Sequence, residues 1–195
     1  MIWPAPMVPY FHSQGHFFKA MIGAEGSYQH YFGHTREIEI VNPTCEPVQL
    51  HLILDLDLRD SRLSLTIPEL TRLPLLHPFR HDGGFLKYRV ISDNSVEILE
   101  IKGPLAEGWP YVNYPDRFQS ARFDLTDSFP CSREEFDEPM YQGVLPEHLG
   151  HFIAVLPDDT NRTPGLWQED GNVLVNAVFC FNQITRIVET YNECG

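Results

Sequence analysis

Residues 48–58, VQLHLILDLDL, constrain the fold more than any other stretch of the chain. Val48, Leu50, Leu52, Leu54, Leu56 and Leu58 alternate with Gln49, His51, Ile53, Asp55 and Asp57. A period of two sends successive side chains of an extended strand to opposite faces. The leucines are therefore expected in a core, and His51, Asp55 and Asp57 on the face turned away from it.

The flanking residues extend this strand into a sheet. Leu63, Leu65 and Ile67 alternate with Ser64 and Thr66 after a loop at 59–62. That loop would oppose Leu58 to Leu63, Leu56 to Leu65 and Leu54 to Ile67, with all the leucines on one side. Upstream, 37–41 alternates as well. A loop over 43–47 would set Ile40 against Leu50, Ile38 against Leu52 and Glu39 against His51. The expectation is a three-stranded antiparallel meander over 36–67.

Elsewhere the signals are shorter. Residues 1–12 read as an irregular arm of prolines and aromatics. Ser13, Phe17, Ala20, Met21 and Gly23 supply the cap, spacing and stop of a short helix over 13–23. Residues 27–33 suit a strand by aromatic content, and 68–78 suit a buried connection. Residues 85–91 and 95–101 flank a turn. A three-residue loop with Asn94 left-handed opposes Val90 to Val96, Arg89 to Glu97 and Tyr88 to Ile98. The competing register, Lys87 opposite Glu100, mixes apolar and charged faces.

Further along, 121–125 and 151–156 read as strands. Ser132 and Glu135 have capping-box spacing, which predicts a short acidic helix to about 138. Residues 173–181 are apolar on both alternating sets, as in a central strand. Residues 183–191 fit a helix or a strand, and their β-branched content favours a closing strand. The reading is a single domain over 1–195, mainly β with α+β as the alternative. It is built on an antiparallel meander or sandwich with a few short helices.

Composition narrows the function classes. With 195 residues and 43% hydrophobic content the chain can bury a core. It holds no apolar run of membrane-spanning length. MIWPAPMVPYF lacks the basic start of a secretory signal, so a cytoplasmic location is expected. Cys45, Cys131, Cys180 and Cys194 show no CxxC spacing and are expected as free thiols. The net charge of −13 is unevenly placed. Residues 1–92 carry nine acids and eight bases, whereas 93–195 carry eighteen acids and six bases. Phosphates need a basic footprint, which argues against nucleic acid. A basic protein or a cation fits the second half, and acidity serves solubility in any case.

Two groups of residues are chemical candidates. His51, Asp55 and Asp57, with Glu37 and Glu39, offer imidazole and carboxylates to a divalent metal. Neighbours at i, i+2 stand about 6.6 Å apart along a strand, and a solvated sheet face explains them equally well. His12 and His16 have the i, i+4 spacing that shares a metal on a helix, or they are ordinary hydrogen-bonded histidines. No GxSxG elbow, phosphate loop or GxGxxG fingerprint occurs, and no cofactor is expected.

The second group is a loop over 103–119 carrying Trp109, Tyr111, Tyr114 and Phe118, which suits either recognition or packing as a lid. Glu134, Glu135 and Glu138 would form its acidic rim. The expected function is a non-catalytic acidic binding protein of inhibitor or adaptor type. Its partner would be a basic protein, with no nucleic acid or membrane. The alternative is a metal-assisted or small-ligand enzyme with its site on the sheet.

Overall fold

The computed structural model describes residues 9–24, 26–33, 36–41, 50–78, 84–103, 120–132, 135, 152–156 and 175–194. Its first strands are β1 (Tyr10–Ser13), β2 (His16–Ile22), β3 (His30–Phe32), β4 (Glu39–Val41), β5 (His51–Asp57) and β6 (Arg72–His77). They are followed by β7 (Leu86–Ser92), β8 (Ser95–Ile101), β9 (Ala121–Leu125), β10 (Phe129–Pro130), β11 (Phe152–Leu156), β12 (Val175–Asn182) and β13 (Ile187–Cys194). The fold is mainly β, in one mixed sheet. Apart from the single helical residue Glu135, the only helix among the described residues is a 3₁₀ turn, Ser61–Leu63.

Neighbouring strands run β4-β8-β7-β13-β12-β11-β1-β2-β9-β3-β5-β6, with β10 also beside β2. Strand β2 links the two halves. Residues 16–19 pair with β1, whereas Ala20, Met21 and Ile22 pair with β9 on the other edge. The far half folds back, and β6 comes to lie against β7 and β13. Tyr88 Oη closes that seam by donating to Pro74 O (2.8 Å) and accepting from Leu76 N (2.9 Å). One core lies between the layers, joining Phe11, Phe18, Tyr88, Phe179 and Val188 of one to Phe32, Leu54, Leu56, Leu75 and Phe123 of the other. Residues 177–181 on β12 are all buried, as a strand covered on both faces requires. Val178 and Cys180 belong to a second apolar cluster with Phe17, Ile153 and Val155, on the opposite face from the main core.

Several local expectations are corrected. Residues 13–23 do not form a helix. Gln14 and Gly15 take φ of 50° and 77°, the left-handed pair of a two-residue hairpin turn, and join β1 to β2. Phe11 and Phe18 then stack across the strands at 5.4 Å. Residues 10–12 are accordingly strand rather than irregular arm, and 1–8 lie outside the described residues.

The meander over 36–67 does not form. Strand β4 pairs in parallel with β8, and β5 pairs with β3 and β6. Leu63, Leu65 and Ile67 are buried without making a strand, because Asp60 caps the 3₁₀ turn and Ser64 leaves it at φ 52°. The partner of β5 lies in the segment expected as a connection.

The β7–β8 hairpin contains both competing registers. Val90, Arg89 and Tyr88 face Val96, Glu97 and Ile98, while Lys87 faces Glu100 and Ser92 faces Ser95. Bulges at Ile91 and Leu99 separate the two. The turn is the two-residue Asp93-Asn94, and Asn94 is not left-handed.

Candidate functional site

The acidic residues of β5 sit where alternation breaks. Leu52 faces Leu76 and Leu54 faces Leu75, so Ile53 is an extra residue, a β-bulge. Beyond it Leu54 and Leu56 enter the core, and before it His51 does so while Leu52 is only half-buried. Asp55 and Asp57 fall on the other side, but they are fully buried, not solvated as expected. Arginines cover them. Arg36 forks onto Asp55 through Nη2 (2.7 Å) and Nε (3.1 Å), and Arg72 adds Nε at 3.1 Å. Arg59 grips Asp57 through Nε (2.8 Å) and Nη2 (2.6 Å). Burial pushes the Asp57 carboxyl up, but the Arg59 side chain and the amides of Gln29 and Arg59 outweigh it and hold the group well below the usual range.

Asp60 and His30 continue the network. His30 Nδ1 accepts from the Asp57 amide at 3.1 Å, so its proton sits on Nε2, which donates to Asp60 Oδ2 at 3.0 Å. Both ring nitrogens are thereby committed, and His30 is placed as a strut rather than as a general base. Asp60 also takes Arg62 Nε and Nη2, and Arg62 reaches on to Asp124 at 2.5 Å. Burial raises the Asp60 carboxyl, but His30 and Arg62 outweigh it and bring it down to about 2.

The metal candidates are separated. His51 stands opposite His77, not Glu39, and lies on the core side away from Asp55 and Asp57. His12 and His16 are one strand apart and face opposite sides, since His12 is paired with Phe17 and His16 with Ser13. His12 is buried with Nε2 at 2.9 Å from Cys131 O, whereas His16 is exposed. Among the described residues no three His, Cys, Asp or Glu side chains are grouped to hold a metal ion.

Of the acidic rim, Glu135 is described. Its Oε2 accepts from Ser132 N (2.7 Å) and its amide donates to Ser132 Oγ (3.2 Å), the reciprocal bonds of a capping box. Trp109, Tyr111, Tyr114, Phe118, Glu134 and Glu138 lie outside the described residues, as does the rest of the expected helix.

Reading the sequence missed Arg36, Arg72, His30 and Asp60. A signal was present in the repeated Asp-x-Arg of Asp57/Arg59 and Asp60/Arg62, and in the near balance of acids and bases over 1–92. Every basic side chain among the described residues is engaged. Arg36, Arg59, Arg62, Arg72, Lys87, Arg89 and Lys102 form ion pairs. Arg122 and Arg186 donate to backbone carbonyls, and Lys19 lies over the Tyr10 and Phe17 rings. Among the described residues no helix is long and apolar enough to cross a membrane. No protein-family model, curated protein or solved structure matches the chain.

Proposed function

We propose that the protein is a non-catalytic, acidic binding protein whose partner is a basic protein surface. One observation carries the reading: seven of the ten described lysines and arginines are taken up in ion pairs within the fold. The sequence keeps a net charge of −13, because an ion pair removes one charge of each sign, while Lys19, Arg122 and Arg186 retain theirs against rings and carbonyls. The excess is concentrated in 93–195. The buried carboxylates and His30 are held by arginines and amides in a way that suits support rather than turnover. In this reading Trp109, Tyr111, Tyr114 and Phe118 supply desolvated anchors, and Glu134, Glu135 and Glu138 steer encounter from the rim. Work in the cytoplasm as an inhibitor or adaptor fits the same picture.

The test is capture from native cell extract at low and high salt, followed by binding kinetics. A cationic protein should be retained at low salt and lost at high salt, and Trp109→Ala should speed its dissociation. Recovery of no basic partner, or retention indifferent to salt, overturns the proposal.

A further inference from the structure

Strand β4 ends the strand order, and among the described residues it is paired on one side alone. It runs parallel to β8, with Glu39 beside Ser95, Ile40 beside Val96 and Val41 beside Glu97. The Glu39 amide donates to Asn94 O at 2.7 Å. Successive peptide groups of a strand point to opposite sides. Glu39 and Val41 therefore turn their backbone groups to β8, and Ile40 turns its N–H and C=O away from it. The side chains divide as well. Ile38 and Ile40 pack on the main core, whereas Glu37 and Glu39 are exposed. Arg36, just ahead of them, fixes the strand in place. It grips Asp55 on β5 and reaches Asn94 Oδ1 at 2.7 Å, in the turn on which β4 docks.

We infer that β4 takes an added strand from the partner: an extended segment in which apolar side chains alternate with lysine or arginine. The inference rests on the basic partner proposed above, and adds where and in what conformation that partner is gripped. Main-chain bonds to the Ile40 N–H and C=O give the guest its hold, and the side chains on its two faces decide its identity. On the inner face its neighbours are Ile40 and Ile38, which continue the apolar row from Val96 of β8. Apolar guest residues extend that row. On the outer face its neighbour is Glu39, with Glu97 of β8 on the same side beyond Val41. Opposite charges on adjacent strands are favourable, so the alternate guest positions call for lysine or arginine.

The same charges argue against a second copy of this chain as the guest. Two β4 strands paired edge to edge would set exposed glutamates against glutamates, between chains that each carry −13. A basic strand meets no such repulsion. The edge is also set before the guest arrives, because β8 and Arg36 already hold β4. Only the guest loses conformational freedom on pairing. Strand β4 is three residues long, so the hold is brief and centred on Ile40.

Hydrogen exchange of the full chain, resolved by residue, reads the site directly. In the free protein the Ile40 amide should exchange fast while those of Glu39 and Val41 are protected. Titration with a short peptide alternating valine and lysine should protect Ile40 and leave the other two as they were. A copy with methylated backbone amides keeps the charge and loses the donors, and should bind about tenfold more weakly. Glu39→Lys should shift the preference to a copy carrying glutamate in place of lysine. Should that variant not fold, the methylated peptide decides on the wild type alone. A slowly exchanging Ile40 amide in the free chain, no binding of the parent peptide, or equal binding of the parent and methylated peptides overturns the added strand. Equal binding would leave the basic partner standing. Protection of Ile40 by the parent peptide, beside an extract that yields no basic protein, would keep the strand site and remove that partner.

Discussion

Arg36 reaches Asp55 with two parallel donors while its Nη1 bonds Asp93 O and, at 2.7 Å, Asn94 Oδ1. One guanidinium thus ties a fully buried carboxylate on β5 to the tip of the β7–β8 hairpin. Asp55 also anchors Arg72, so removing it takes a shared carboxylate from two cations at once. Breaking such a buried pair costs about 3–5 kcal/mol. Leu54→Ala, a truncation in the core, costs about 2–5 kcal/mol. Asp55→Ala should therefore be at least as damaging as Leu54→Ala in urea denaturation. A clearly milder effect would mean that the carboxylate is solvated after all.

Asp60 makes stability depend on acid. Its carboxyl is brought down to about 2 in the fold from an ordinary 3.8. A depressed carboxyl stabilises above its unfolded value and loses that contribution as pH falls through its folded value. The loss should run from about pH 4 to pH 2 and amount to roughly 2 kcal/mol. His77 also titrates on unfolding, so the measurement is the gap between wild type and Asp60→Asn at pH 5 and pH 2. That gap should shrink by this amount on acidification. A gap independent of pH would remove Asp60 from the ion network.

The parts of the fold legible in the sequence are those set by local pairing. Val90–Val96, Arg89–Glu97 and Tyr88–Ile98 follow from keeping one face apolar, and β12 follows from apolar residues on both faces. What failed was long-range choice. Strand β5 has suitable leucine partners both at 63–67 and at 72–77, and periodicity alone does not rank them. The outcome turns on Asp60 closing a 3₁₀ turn and on Arg72 landing opposite Asp57. The Ile53 bulge is equally silent, since every residue around it is acceptable in either register. Burial of Asp55 was misjudged because its cover comes from Arg36, nineteen positions away.

Two glycines should rank predictably. Gly15 has φ of +77° with open space where a Cβ would stand, so Gly15→Ala should cost only backbone strain, about 1–2 kcal/mol. Gly84 has φ of +58°, and a Cβ there would meet Asn192 Nδ2 at 2.5 Å. Gly84→Ala should therefore lose more than Gly15→Ala, because it also displaces the acceptor of His77. Thermal denaturation of the two variants under identical buffer checks the order, and the reverse order would show that the Asn192 side chain moves aside without cost.

The acidic rim offers a test that separates field from structure. Glu135 carries a charge and closes a capping box with Ser132, so a simple charge reversal would confound the two roles. Glu135→Gln keeps an acceptor for the Ser132 amide and removes the charge. Combined with Glu134→Gln and Glu138→Gln it should slow association with a basic partner and flatten its salt dependence, leaving dissociation little changed. Ser132→Ala does the opposite. It removes the hydroxyl that accepts from the Glu135 amide, costing about 1 kcal/mol locally, and leaves the charge untouched. If the field governs encounter, only the glutamine triple slows it. If Ser132→Ala slows binding as much, the partner reads the local structure at 132–135, and electrostatic steering by this rim is wrong.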